Sequence, residues 1–144
     1  MLKYSVTDDN GESMAMNVRG ILIETITDDK TLNLGDSGKI FGIATDAKTF
    51  TLPKITAKNL GMNFTVVNTG ADGNNIITIS PNAVDSVNGS IANASADAVA
   101  GGTVNKDIIN TKATSNKGDR ITLVAMALTE WYIVEGVGIW ASEG

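Results

Sequence analysis

Residues 35–53 read GDSGKIFGIATDAKTFTLP, and two readings compete for them. Gly-Asp-Ser-Gly is the setting in which trypsin-like enzymes present a nucleophilic serine, which makes Ser37 a candidate. The chain contains no histidine, so no imidazole can take the proton from a serine hydroxyl. Lys39 lies two residues on, but a lysine base must be buried and neutral, and a lysine after a Gly-rich turn is usually solvated. A phosphate loop fails as well, because Asn33 and Ile40 stand where that motif needs Gly and Ser or Thr. GDSG therefore reads as a turn. It leads into strand KIFGIAT, a second turn at DAK, and strand TFTLP, where Phe50 and Leu52 point one way and Thr49 and Thr51 the other. Pro53 removes a ladder donor and ends that strand.

The same pattern extends in both directions. Short runs rich in Val, Ile and Thr are broken by Gly, Asn and Asp at intervals of about ten residues, the signature of an all-β chain. Upstream, KYSVT and SMAMNV flank DDNGE, where Asn10-Gly11 suits a tight hairpin. GILIETIT follows, with Ile21, Ile23 and Thr25 on one face and Leu22, Glu24 and Ile26 on the other. Apolar residues on both faces predict a strand covered on both sides, or one face covered by a partner. Downstream come strands in AKNLGMNFTVVNTG and IITISP, separated by the polar turn ADGNN. ITLVAMA and EWYIVEG form a closing hairpin around Leu128-Thr129. Gly118-Asp119 opens it as Gly35-Asp36 opens the earlier pair, an echo too short to be a repeat. No segment keeps helical apolar spacing over three turns.

Residues 82–117 are dominated by small and polar side chains and predict a projecting loop. It holds short strands at SVNGSI and GTVNKDII, with one or two helical turns at ASADAVA as the alternative. The expected organisation is an N-terminal hairpin or arm over 1–31 and an antiparallel β-sandwich or barrel-like domain over 32–144.

Composition narrows the chemistry. The 144 residues suit one domain, and the absence of cysteine and histidine removes thiolate, disulfide, imidazole and most transition-metal chemistry. The formal charge is −5 and the 11 Lys and Arg are scattered, so no basic stripe for nucleic acid is visible. Aromatics at 5% are too few for a base-stacking platform. No run approaches a membrane span and the N-terminus has no apolar signal core, so a soluble protein made in the cytoplasm is expected. No catalytic residue, cofactor or metal is expected.

Two acidic turns invite a cation. An EF-hand frame centred on Gly11 puts Val6 and Asn17 at its first and last ligand positions, and both fail. Asp72, Asn74 and Asn75 could hold a hard cation, but they are also what a β-turn asks for. Glu130 and Glu135 are the acids set in apolar sequence, and their turn and strand-end positions point to solvent rather than to a glycosidase pair. Trp131 and Tyr132 must face opposite ways. Trp140, close to the C-terminus, either marks a subunit interface or packs on its own sheet. Met14 and Met16 form an adaptable apolar strip.

Five stretches, Asp36–Lys39, Thr49–Pro53, Asn63–Val67, Asn74–Pro81 and Gly118–Trp140, together resemble small β-rich virion proteins of tailed bacteriophages, above all head-decoration proteins and some fibre modules. The resemblance implies a non-enzymatic, commonly homotrimeric protein on the outer capsid surface that bridges major capsid subunits. It transfers no functional residue, because the matching residues are those of turns and core. The first thirty-odd residues lie outside it, and the capsid contact is expected there, on Met14, Met16, Ile21 and Leu22, with Trp140 at a partner-facing position. A tail-fibre module that recognises host glycan or protein is the alternative, with Trp131 or Tyr132 exposed in a groove.

Overall fold

The computed structural model describes residues 21–91 and 102–143 in full, and the backbone of 4–7, 13–16 and 98–101. The chain is all-β. Its strands are β1 (Tyr4–Thr7), β2 (Ser13–Met16), β3 (Ile23–Ile26), β4 (Lys30–Thr31), β5 (Ile40–Ile43), β6 (Lys48–Thr51) and β7 (Asn63–Asn68). They continue with β8 (Ile77–Ser80), β9 (Ser86–Ile91), β10 (Ala98–Val104), β11 (Ile108–Asn110), β12 (Arg120–Ala127), β13 (Glu130–Val137) and β14 (Trp140–Ser142). A seven-stranded sheet runs β10-β9-β13-β12-β7-β5-β3, and a five-stranded sheet runs β14-β11-β8-β6-β4. β1 and β2 pair antiparallel as a two-stranded sheet of their own, Tyr4 opposite Met16 and Val6 opposite Met14.

Both large sheets are mixed, which corrects the antiparallel expectation. β3, β5 and β7 are parallel neighbours in one sheet, and β4, β6 and β8 are parallel neighbours in the other. From β3 to β8 the chain therefore crosses between sheets at every turn and winds three times around one core. The DAK turn carries the chain from β5 to the opposite sheet instead of reversing it beside β5. Apolar parity explains the choice. Phe41 on β5 and Phe50 on β6 both point inward and meet across the core with ring centroids 5.7 Å apart.

Crossing turns have no hairpin ladder to absorb their backbone donors, and aspartates supply the acceptors. Asp29 accepts from the Thr49 N–H at 2.9 Å and Asp46 from the Ile76 N–H at 2.9 Å. Asp72 accepts from the Lys117 N–H at 2.8 Å. In each case the carboxylate reaches a later segment of the chain, and the crossings are stitched together.

The closing hairpin β12–β13 forms as expected, with Thr129 at φ 62° in its turn. Among the described residues of 82–117, the short strand expected at SVNGSI forms as β9, and the stretch is built into the two sheets rather than projecting. β9 lies beside β13 in parallel register, β11 sits between β8 and β14, and Val87, Ile91 and Ile108 enter the core. For these described residues the projecting-loop expectation fails because small side chains pack within a sheet as readily as they form a loop. Of the helical alternative, 98–100 is strand, and the rest lies outside the described residues. The boundary expected after residue 31 cuts through the architecture, since β3 and β4 are the outermost strands of the two large sheets.

A buried amide cluster ties the first half to the last. Asn68, Asn75, Asn110 and Asp119 are all buried. Asn75 donates to Asn68 Oδ1 at 3.1 Å, Asn68 to Asn110 Oδ1 at 3.4 Å, and Asn110 to Asp119 Oδ2 at 2.9 Å and to the Ile139 carbonyl at 3.0 Å. Gly138, at φ 98°, leaves room for this carboxylate, because a Cβ there would lie 2.2 Å from Asp119 Cγ.

Candidate interaction surface

The turn that spells GDSG is structural. Asn33 caps a 3-10 turn over Leu34–Asp36: its side chain accepts from the Gly35 N–H at 2.8 Å, and its own N–H donates to Asp36 Oδ2 at 3.2 Å. Ser37 Oγ accepts from the Asn63 N–H at 3.0 Å and so fastens the turn to β7. Lys39, the only base near it in sequence, is an ion-pair partner. Its Nζ lies 2.8 Å from Asp36 and 3.0 Å from Glu24.

That pair is half of a four-residue cluster. Lys30 Nζ lies 2.8 Å from Glu24 and 3.7 Å from Asp36, and 5.5 Å from the centroid of the Phe41 ring. Glu24 has the inward parity of Ile26 on β3, and Lys30 stands opposite Phe50 in register. The last turn of the winding core is therefore closed by charges where the preceding turn has phenylalanines. Sequence reading passed over the cluster. Its signal was Glu24, a charge at an inward position of ILIETI.

The pairs set the titration of this end. The hydrogen bond from Lys30, then that from Lys39, holds the Glu24 carboxyl below its usual range. Burial pushes the Asp36 carboxyl up, but the bond from Lys39, the Asn33 N–H and the charge of Lys30 together outweigh it and leave the group lowered. Lys39 is raised, first by Asp36 and then by Glu24. Carboxyls lowered on folding contribute stability in full above the unfolded carboxylate range and lose it as pH falls through their folded values. A raised lysine contributes below its unfolded value and loses that as pH rises through the folded one. The unfolding midpoint should therefore fall below about pH 4 and again above about pH 10. Lys39→Met, which keeps the stem and removes the charge, should flatten the acid limb in melts between pH 6 and 3. An unchanged acid limb would show that the Lys39 pairs contribute nothing to it.

Beside this polar cap the outer edge is apolar. Ile21, Leu22 and Ile23 are 71%, 56% and 74% exposed. The Leu22 carbonyl accepts from the Ile40 N–H at 2.9 Å, which holds the segment extended against β5. Ile26 is covered by the core, whereas the Ile21 and Ile23 side of the strand is open. Of the five expected partner-binding residues, Ile21 and Leu22 thus lie together on this edge. Met14 and Met16 have backbone positions in β2, and their side chains lie outside the described residues.

Trp140 is a correction. It is fully buried within its own chain, and its Nε1 donates to the Val137 carbonyl at 3.1 Å, so no ring is left for a partner. Strand β14 pairs with β11, and that pairing folds the tail back over the core.

The other candidates are committed elsewhere. Trp131 is buried against Phe64 with centroids 5.7 Å apart, while Tyr132 faces the other way and donates its hydroxyl to Glu130 at 2.7 Å. That bond raises the Tyr132 hydroxyl. Glu135 pairs with Arg120 at 2.9 Å on the exposed side of the sheet. Asp72 Oδ1 accepts from the Lys117 N–H, and Asn75 Oδ1 accepts from the Asn74 side-chain amide at 3.2 Å. Among the described residues no His, Cys, Asp or Glu group of three or more is placed to hold a metal ion, and no helix is long and apolar enough to cross a membrane. The acidic turn around Gly11 lies outside the described residues.

The class these features define is an all-β protein of two mixed sheets, closed at one end by an ion-pair cluster and flanked there by an exposed apolar strand. No family model and no curated protein matches the chain.

Proposed function

We propose that this is a structural virion protein of a tailed bacteriophage that binds the outer capsid surface and stabilises the head by bridging major capsid subunits. The observation that carries the reading is the exposed run Ile21–Leu22–Ile23 on an outermost strand, next to the N-terminal segment that falls outside the phage-like pattern. Ile21 and Ile23 share one open face of the strand, and an exposed aliphatic pair there suits a contact surface. The commitment of Ser37, Lys39, Glu130 and Glu135 to internal bonds supports a binding role over turnover.

In this reading the protein acts by mass action. It binds neighbouring subunits of the assembled lattice and not separated ones, and so adds its binding free energy to the assembled state. Assembly as a homotrimer on a three-fold lattice position would repeat each weak contact three times. Met14, Met16, Ile21 and Leu22 would form the capsid-facing surface.

The test uses heads of the phage that encodes the chain, stripped of the protein and mixed with it again. Wild type should cosediment with heads, and gold-labelled antibody should decorate heads rather than tails. Ile21→Asp with Ile23→Asp should weaken head binding by about 30-fold or more, since losing about 2 kcal/mol of buried aliphatic contact has that effect. The substitutions should leave the unfolding midpoint nearly unchanged, because neither side chain is buried in the free chain. Label confined to tail tips would overturn the reading in favour of receptor recognition. Head binding that survives deletion of residues 2–18 would remove the N-terminal contact.

A further inference from the structure

The two large sheets have four outermost strands, and three of them are protected. β4 is two residues long. β10 and β14 lie against each other. β3 is the exception. In a parallel ladder successive residues turn their backbone groups alternately toward and away from the neighbour. The Ile40 N–H to Leu22 carbonyl bond and the Ile23–Ile40 register place Leu22, Glu24 and Ile26 toward β5, which turns the N–H and C=O of Ile23 and Thr25 outward. No proline or lysine guards those two positions, and an unguarded edge in ILIETI invites another strand.

We propose that strand β2 of the same chain, bonded in the structure to β1 alone, docks on the β3 edge, so that β1–β2 extends the seven-stranded sheet. Two independent features select this segment. β1–β2 is a two-stranded sheet of its own, and an isolated two-stranded hairpin is marginal in water until a third strand joins it. The connection also has the right length and chemistry: β2 ends at Met16, the chain is extended by Leu22, and residues 17–21 between them contain Gly20. By sequence, five residues that include a glycine are of the length and kind that join antiparallel neighbours. Docking satisfies the outward groups of Ile23 and Thr25 and carries β2, the strand of Met14 and Met16, alongside the segment of Ile21 and Leu22 assigned to capsid contact above. The inference does not depend on that assignment.

Amide hydrogen exchange on the full-length protein, without heads, tests it. The Glu24 and Ile26 amides, bonded to β5, serve as the internal standard. Ile23 and Thr25 should be protected comparably, at least about 50-fold over free amides. Met14→Pro with Ala15→Pro removes neighbouring N–H groups that point to opposite sides of β2. It should release Ile23 and Thr25 to fast exchange and leave Glu24 and Ile26 protected. Fast exchange of Ile23 and Thr25 in the wild type would overturn the proposal. So would protection that grows with protein concentration, which would identify a strand of a second copy as the occupant.

Discussion

Asn110→Ala should destabilise the protein by about 3 kcal/mol, although position 110 is small, uncharged and far from the apolar edge. Asn110 is buried and serves as the hub of the amide cluster. It donates to the Asp119 carboxylate and to the Ile139 carbonyl and accepts from Asn68. Alanine removes all three bonds and strips the Asn68 amide, the Ile139 carbonyl and Asp119 Oδ2 of the Asn110 partner. A buried group stripped of its partner costs about 1–3 kcal/mol, more when it is charged. Asp119 retains the Asn116 N–H at 2.9 Å, which limits the loss. For a chain of this size the unfolding midpoint should fall by about 10 °C, as read by circular dichroism. A fall of less than about 2 °C would mean that water replaces the amide and that the cluster is not sealed.

Trp140→Ala should cost more, about 3–5 kcal/mol, because it deletes a fully buried ring and leaves a cavity. It also strips the Val137 carbonyl of its indole donor. The substitution separates the two readings of a C-terminal tryptophan. A ring that packs in its own chain lowers the midpoint by the same amount at every protein concentration. A ring at a subunit interface would lower it by an amount that changes with concentration, through mass action. The structure requires the first result, and Trp140→Phe should recover most of the loss because it restores most of the packed volume.

Local pattern read well wherever a residue's neighbours in sequence settle its environment. Thr49-Phe50-Thr51-Leu52 alternates as a strand must, and Phe50 and Leu52 are buried while the threonines are not. Trp131 and Tyr132, adjacent on β13, face opposite sides for the same reason. GDSG is a turn because the chain lacks the imidazole a nucleophile needs, and the structure shows Ser37 accepting a backbone N–H. Ile21 and Leu22 were visible as aliphatic residues on both faces of one short strand.

Long-range choices did not read from the chain. A Gly or Asp turn between two strands looks the same whether it closes a hairpin or crosses to an opposite sheet. The local signal is turn chemistry, and the decision is made by which partner covers the inward side chains. Phe41 and Phe50 decided it here, by meeting across the core. The same holds for Val87 and Ile108, apolar residues thinly spread through a stretch of small ones, which became core only because β13, β8 and β14 lie beside them. The Glu24–Lys30–Asp36–Lys39 cluster assembles from four positions that only the winding of the chain brings together.

The sequence by itself determined the all-β class, the strand alternation, the turns, and the exclusion of imidazole and thiolate chemistry, because each follows from residue types within a few positions of one another. The tertiary structure alone decided the parallel stacking of β3–β8, the burial of Trp140 and the charged cap beside an open apolar edge, because each depends on which distant strand lies across the core.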